Sequence, residues 1–181
     1  MTILLIVLAV LAVAVLAILA LAAMRPNTFT VRRATTIKAP PAAIFPLIND
    51  FRAWPAWSPY EHKDPAMQRR LSGTQAGQGA IYEWTGDKNV GQGRMEILES
   101  TAPATVVIKL DFFKPFEAHN RATFAMTPQS DQAGERTEVT WTMDGPALFV
   151  GKIMGLFINL DRMVGADFEV GLANLKRVTE K

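Results

Sequence analysis

The sequence predicts an α+β protein in which an antiparallel sheet packs on a long carboxyl-terminal helix, preceded by one transmembrane helix. Three observations lead to this prediction: an uncharged apolar run from Ile3 to Met24, a series of strand-like runs separated by turn residues, and a terminal segment with apolar residues at steps of three and four. Strands that follow one another without intervening helices form an antiparallel meander. The terminal amphipathic segment must then cover the apolar face of that sheet.

The run from Ile3 to Met24 contains only Ile, Leu, Val, Ala and Met. At about 1.5 Å per residue, a helix of this length crosses a hydrocarbon core of about 30 Å. A cleaved signal peptide is the alternative, since Ala20-Leu21-Ala22 has the small-x-small form of a cleavage site. Against it, a basic amino-terminal region is missing, and the run exceeds the usual length of roughly 7–15 apolar residues. We therefore predict a retained anchor over residues 1–25 and a single-pass membrane protein.

Residues 26–28 form a short polar connector, and residues 29–181 have a common size for one domain. The connector is too short to act as a flexible tether, so the domain should sit close to the bilayer. The positive residues after the apolar run are Arg25, Arg32, Arg33 and Lys38. This bias favours a cytoplasmic domain. A periplasmic or other extracytoplasmic domain is the alternative if these side chains serve the fold instead.

The composition excludes several kinds of site. The 181 residues include no cysteine, so the chain forms no disulfide and no thiolate metal site. The net charge of +2 does not indicate a nucleic-acid partner, because phosphate binding requires clustered Lys and Arg. His62 and His119 lie in different predicted elements, and the sequence contains no nucleotide-binding motif. We therefore predict neither a metal nor a cofactor.

The predicted domain begins with a strand from Phe29 to Lys38 and a short helix opened by Pro40 and Pro41. A second short turn follows at residues 51–60, where prolines forbid a long helix. Six further strands are predicted at Met67–Ser72, Ala80–Thr85, Gly93–Ser100, Thr105–Phe112, Glu117–Met126 and Glu135–Met143. A polar loop from Gln129 to Gly134 precedes the last strand. From Val150 onward the spacing of apolar residues predicts one long helix.

Side chains on the apolar face of the sheet are expected to converge with those of the terminal helix. In the last strand, for example, Trp141 and Met143 alternate with Thr140 and Thr142. The residues predicted to line this space are Tyr82, Trp84, Met95, Phe124, Met126, Trp141, Met143, Met154, Phe157 and Met163. Flexible thioethers suit a surface that holds varied apolar ligands. They also fill packed cores, so the pattern alone leaves cavity and core as alternatives.

A series of short motifs resembles one family of bacterial proteins. The motifs are Trp54-Pro55-Ala56-Trp57-Ser58-Pro59, Asp64-Pro65, Gly77-Gln78-Gly79-Ala80 through Trp84, Gly91-Gln92-Gly93-Arg94-Met95, Pro115-Phe116 and Thr140-Trp141. With the order of elements over residues 29–178, they are similar to the polyketide cyclase/dehydrase-type branch of the START-like SRPBCC superfamily. The resemblance implies a helix-grip fold: a curved antiparallel sheet of about seven strands wrapped on a long terminal helix, two short helices after the first strand, and an apolar cavity.

The resemblance implies that the domain binds or transfers a small hydrophobic ligand, a lipid or a polyketide-like molecule, beside the bilayer. One fold hosts many functions, and this branch shares no catalytic set, so no catalytic residue is assigned. The first alternative is an enzyme of cyclase or dehydrase type, in which Tyr82, Glu83 or Arg94 orients a substrate. The second is a module in which Ile153 to Leu160 docks on a protein partner of unknown identity.

Overall fold

Seven strands form one curved antiparallel sheet. The computed structural model describes residues 2–131 and 134–181 of the chain. The strands are β1 (Thr28–Ile37), β2 (Gln68–Gly73), β3 (Ala80–Thr85), β4 (Gln92–Thr101), β5 (Thr105–Lys114), β6 (Ala118–Asp131) and β7 (Gly134–Pro146). Their order across the sheet is β1-β7-β6-β5-β4-β3-β2. With the helices described next, this sheet confirms the predicted α+β helix-grip fold.

The helices precede the sheet, interrupt it after its first strand and follow it. They are α1 (Thr2–Ala23), α2 (Pro41–Asn49), α3 (Phe149–Met154) and α4 (Leu160–Thr179), with two 3₁₀ helices, Phe51–Ala56 and Pro59–His62, after α2. Pro41 opens α2 at a position where a helix needs no amide donor. The α2 helix and the 3₁₀ helices are the short elements that the sequence predicted between the first two strands.

The terminal helix is broken, so the prediction of one continuous helix from Val150 was wrong. The Gly155 amide donates to the Gly151 carbonyl (2.8 Å) at the end of α3. The Asn159 side chain accepts a hydrogen bond from the Arg162 amide (2.9 Å) and caps the start of α4. Apolar residues keep the spacing of a helix across this break, which is why periodicity did not reveal it.

The hairpin between β6 and β7 is longer than predicted. The sequence placed a polar loop from Gln129 to Gly134, but antiparallel pairing continues through Thr127 with Glu138 and Gln129 with Arg136. Residues 132 and 133 of that predicted loop lie outside the described residues. Two paired strands whose side chains are all polar lack the alternation of apolar and polar residues that identifies a strand. In sequence they therefore look like a loop.

Aromatic rings form the packed core at the concave side of the sheet. Trp54 and Trp57, from the first 3₁₀ helix and its end, lie against Phe124 of β6 with ring centroids 6.2 and 5.9 Å away. Each indole nitrogen donates to a carbonyl of α2, Trp54 to Ile48 (3.0 Å) and Trp57 to Leu47 (2.8 Å). These bonds satisfy the buried donors and fix the 3₁₀ helix on α2.

The two ends of the sheet carry different loops. Thr28 pairs with Pro146, and Phe112 with Ala118. The start of β1, the end of β7 and the β3–β4 and β5–β6 loops therefore lie at one end, which we call the proximal end because α1 precedes it. The β2–β3 and β4–β5 turns lie at the opposite, distal end.

Helix α1 is long and apolar enough to cross a membrane, a test that a signal sequence near the amino terminus also passes. Its side chains are exposed along most of its length. Ile18 and Ala22, one turn apart on one face, are the residues of α1 that are partly or fully covered. In the domain, α1 contacts α3.

Candidate functional site

A cavity of about 300 Å³ lies between the sheet, the second 3₁₀ helix and the first turns of α4. Apolar side chains make up most of its wall, including Leu110, Phe112 and Val164. Its volume is near the lower end of the range for small-molecule pockets, about 300–1,000 Å³, and its mixture of apolar wall and few polar groups is typical of such sites.

Six of the ten residues predicted to line this space do line the cavity: Tyr82, Trp84, Met95, Trp141, Met143 and Met163. Five of them come from strands, where alternation directs every second side chain to the concave face. Trp84 is oriented by its indole nitrogen, which donates to the Val90 carbonyl (2.9 Å). Gly93 leaves room for this ring, since a Cβ at that position would lie 2.4 Å from it.

The structure places the other four predicted residues elsewhere. Phe124 and Met126 are buried in the packed core, Phe124 with its ring 4.8 Å from that of Trp141. Met154 and Phe157 are 41% and 73% exposed. Their placement in the cavity assumed one continuous terminal helix, and the break after α3 turns them to the surface instead.

Several lining residues that the sequence analysis did not assign to the site come from the second 3₁₀ helix, from the residues that flank it and from α4. They are Ser58, Tyr60, Glu61, Lys63, Asp167 and Phe168. The signal that pointed to this region is the Trp-Pro-Ala-Trp-Ser-Pro motif, which was used only for the resemblance. A 3₁₀ segment has no long periodicity that would separate inward from outward side chains.

A hydrogen-bonded group of three side chains lies beside the cavity. The buried Glu61 carboxylate accepts hydrogen bonds from the Tyr82 hydroxyl (2.6 Å) and from Arg69 Nε (2.6 Å), and Arg69 Nη2 donates to the Glu61 carbonyl (2.9 Å). Burial, and then the hydrogen bond to Glu61, raise the pKa of Tyr82 well above its ordinary value. The phenol is therefore protonated and directed at the carboxylate.

Two residues that line the cavity each have a buried polar atom with no hydrogen-bond partner among the described residues: the Ser58 hydroxyl oxygen and the Trp141 indole nitrogen. The two residues are only 1% and 4% exposed. Trp141 is fixed by Phe168 of α4, which stacks on it with centroids 3.9 Å apart and planes 7° from parallel. Since buried polar atoms are nearly always satisfied, these two unpaired atoms are the unusual polar feature of the residues that line the cavity.

The rim of the cavity carries one ion pair. Lys63, which follows the second 3₁₀ helix, is paired with Asp167 of α4. The same ammonium lies 5.1 Å from the centre of the Tyr60 ring. This pair joins the 3₁₀ segment to α4 on the side of the cavity where Met163, 57% exposed, also lines it, and we call this side the mouth.

Two polar residues considered for a catalytic role, Glu83 and Arg94, are outside this cavity. Glu83 alternates with Tyr82 and Trp84 on β3 and pairs with Arg70 at 3.7 Å. Arg94 pairs with Glu96 at 2.8 Å on the same outer face. Within residues 2–131 and 134–181, the structure holds no group of three or more His, Cys, Asp or Glu side chains that would bind a metal.

This fold and this cavity define an α+β protein of the hydrophobic ligand-binding, helix-grip class. The chain belongs to the family described as polyketide cyclase / dehydrase and lipid transport, which matches residues 28–180. The predicted family is thereby confirmed. None of the curated proteins compared with this chain matches it.

Solved structures of bacterial proteins share the fold. A protein from Thermobifida fusca is 23% identical, with a TM-score of 0.59 over 83% of this chain and 92% of that one. The Aha1 dimer from Colwellia psychrerythraea is 15% identical, with a TM-score of 0.55 over 84% of this chain and 96% of that one. A protein from Chromobacterium violaceum is also 15% identical, with a TM-score of 0.56 over 87% and 99%. At these identities the similarity shows the fold alone.

Proposed function

We propose that this protein binds or transfers a small apolar molecule that carries a hydrogen-bond acceptor, while α1 anchors it in a membrane. The observation that carries the proposal is the pair of unpartnered donors, Ser58 and Trp141, in residues that line a mostly apolar cavity. A bound alkane would leave both donors unsatisfied, as they are in the protein alone. A carbonyl, ester or carboxylate oxygen would satisfy them.

The size of the cavity supports a compact ligand. A volume of about 300 Å³ suits one short chain or a ring system better than a lipid with two long chains. The stacked pair of Trp141 and Phe168 presents a flat wall to such a molecule. Met95, Met143 and Met163 allow the wall to adapt, because thioether side chains have many rotamers.

Membrane anchoring is supported by the surface of α1. A soluble protein seldom exposes a large continuous apolar patch, yet Leu5, Leu11 and Leu16 are all more than half exposed. We assign residues 1–25 to the anchor, 26–28 to the connector and 29–181 to the domain. The positive residues after α1 favour a cytoplasmic domain, and labelling of an introduced cysteine with an impermeant reagent in intact cells tests this orientation.

The direct test of binding is to purify the full chain in mild detergent and identify apolar compounds that copurify with it by mass spectrometry. We expect a small molecule with an acceptor oxygen, present at a ratio approaching one per chain. Its recovery should fall in the Val164→Trp variant, which fills the cavity. Equal recovery from both proteins would contradict the proposed site, because the compound would then be bound elsewhere.

A second candidate function is a cyclase- or dehydrase-type reaction, favoured by the hydrogen bond between Tyr82 and Glu61 at the cavity. The phenol and the carboxylate are the acid–base groups beside the cavity that such a reaction would use. Once a ligand is identified, the Tyr82→Phe variant separates the two functions. Loss of turnover with unchanged affinity supports catalysis, and an absence of turnover in the native protein supports binding or transfer.

A further inference from the structure

An apolar surface lies next to α1 and is formed by α3 and the segments on both sides of it. We call it the collar. Its members are Leu148 (59% exposed), Phe149 (47%), Val150 (63%), Met154 (41%), Phe157 (73%) and Ile158 (46%). Large apolar side chains exposed together in this way mark a surface that binds something apolar.

The position of the collar relative to α1 is fixed by hydrogen bonds to the connector. The Ala147 amide donates to the Asn27 carbonyl (2.7 Å), and the ammonium of Lys152 in α3 donates to the Asn27 side-chain oxygen. Lys152 is buried, although it lies in an exposed helix. The chain therefore holds the collar directly against the end of α1.

Contact between α1 and α3 sets the depth of the collar. The covered residues of α1, Ile18 and Ala22, lie within the last six residues of that helix. At about 1.5 Å per residue, Ile18 is roughly 8 Å from the end of α1. If α1 crosses the bilayer, α3 packs beside residues that lie at the boundary between acyl chains and headgroups, where amphipathic helices bury their apolar faces about 5–10 Å deep.

Residues that line the cavity lie near the same end of the molecule. Met163, at the rim, lies in the first turn of α4, which begins soon after the last collar residue, Ile158. Val90, which also lines the cavity, belongs to the β3–β4 loop at the proximal end of the sheet. Phe116, 67% exposed in the β5–β6 loop, lies at this end as well. The collar, the mouth and the start of the domain are thus neighbours.

We propose that the collar inserts into the surface of the bilayer that holds α1, and that this insertion places the cavity mouth against the membrane. A ligand then passes between bilayer and cavity without crossing water. This inference rests on the proposed membrane anchoring, and it adds the surface of the domain that touches lipid. The occupant of the collar is the lipid bilayer itself.

Depth measurements on the full chain test this inference, and the absence of cysteine allows single labels. Val150→Cys and Phe157→Cys report on the collar, Val10→Cys on α1, and Ala76→Cys on the distal β2–β3 turn. Each variant carries an environment-sensitive nitrobenzoxadiazole label and is reconstituted in phosphatidylcholine nanodiscs with spin-labelled lipids. We expect strong quenching at 10, 150 and 157, and quenching at 76 at least fivefold weaker.

The other outcomes of this experiment are distinct. If position 10 is quenched while 150 and 157 resemble 76, the collar is not in the bilayer, although the anchor stands. A blue-shifted but unquenched collar label would mean that protein, a second copy or a partner, covers it, and this also overturns the inference. If position 10 is unquenched too, the anchor and the collar inference fail together.

A transfer experiment tests the consequence for the ligand. The full-length double variant Val150→Asp, Phe157→Asp should take up a fluorescent fatty acid from phosphatidylcholine vesicles at least fivefold more slowly than the native chain. Val170→Asp, at an exposed position of α4 (52%) outside the collar, is the matched control. Binding of the same probe from detergent solution should be unchanged. Equal uptake by the double variant and the control would overturn the inference without affecting the proposed binding site.

Discussion

At the scale of single residues, the two indoles on the cavity wall differ in one respect. The Trp84 nitrogen donates to a backbone carbonyl, whereas the Trp141 nitrogen has no partner among the described residues. Both rings present apolar area, but only Trp141 offers a free donor. Under the proposed function, this difference would distinguish an apolar molecule with an acceptor from a plain hydrocarbon.

The Trp141→Phe and Ser58→Ala variants test this selectivity. Each removes one donor worth about 1 kcal/mol, so we expect affinity for a fatty-acid methyl ester to fall about fivefold relative to the alkane of equal length. Displacement of a fluorescent apolar dye measures both affinities. Ser100→Ala is the control for the serine, because Ser100 donates to Asn49 (2.7 Å) away from the cavity. An unchanged ester-to-alkane ratio would contradict the assigned role.

Gly171 of α4 allows the second 3₁₀ helix and Trp141 to approach the helix closely. A Cβ at Gly171 would lie 2.8 Å from the Trp141 ring and 3.0 Å from Pro59. We expect Gly171→Ala to destabilise the domain by about 1–3 kcal/mol through overpacking. Gly151→Ala in α3, where a Cβ meets nothing within 4 Å, should instead be neutral or slightly stabilising. Urea unfolding midpoints of both variants check the contrast, and equal midpoints would refute it.

His119 and Asp111, on neighbouring strands, form an ion pair at 2.8 Å. The pKa of His119 is raised, and the largest cause is its hydrogen bond to Asp111. A raised pKa means that the folded state holds the proton more tightly, so this stabilisation is complete below the unfolded pKa of about 6.5 and is lost as pH rises through the folded pKa.

An NMR titration of the His119 ring checks this shift. We expect a midpoint above about 6.5 in the native chain and a return toward that value in Asp111→Asn. Urea unfolding as a function of pH gives the second reading, since the native chain should lose more stability than Asp111→Asn across this midpoint. A titration that is identical in both proteins would show that Asp111 does not hold the proton.

At the scale of elements, one arginine joins the first strand to the last helix. Arg33 of β1 binds Asp161 (3.0 Å) and Glu169 (2.7 Å) of α4, and a Cβ at Gly165 between them would overlap its guanidinium. Gly165→Ala should push the guanidinium away and loosen the start of α4, with faster amide exchange there. Gly151→Ala serves as the control for inserting a methyl group into a helix. Unchanged exchange in α4 would mean that the ion pairs do not hold it.

Elements were predictable from sequence where one physical pattern dominated. β3, for instance, was predicted at Ala80–Thr85 and is found there, because alternating apolar residues bounded by turn glycines define a half-buried strand. The break after α3 was not predictable, because glycine and asparagine, here Gly155 and Asn159, occur inside helices as well as at helix ends. That one difference moved Met154 and Phe157 from the expected cavity to the collar.

At the scale of the whole molecule, motif order gave the family, and strand alternation gave part of the cavity wall. The hydrogen-bond partners of the polar side chains could not be predicted from either pattern. Nothing in the sequence distinguishes Trp84, whose nitrogen is satisfied, from Trp141, whose nitrogen is free. Such a distinction depends on which carbonyl lies within 3 Å of an indole, and that follows from packing across strands distant in sequence.

The connector at Asn27 also limits where this domain can act. Its carbonyl and its side chain are both engaged by the domain, so almost no free chain separates α1 from β1. A carrier that shuttles between two facing membranes needs slack comparable to the gap, and this one has none. Under the proposed anchoring, a bound ligand would therefore leave into the same leaflet it came from, or be collected by a mobile acceptor. Such a protein would exchange its ligand with one membrane and would not carry it between two.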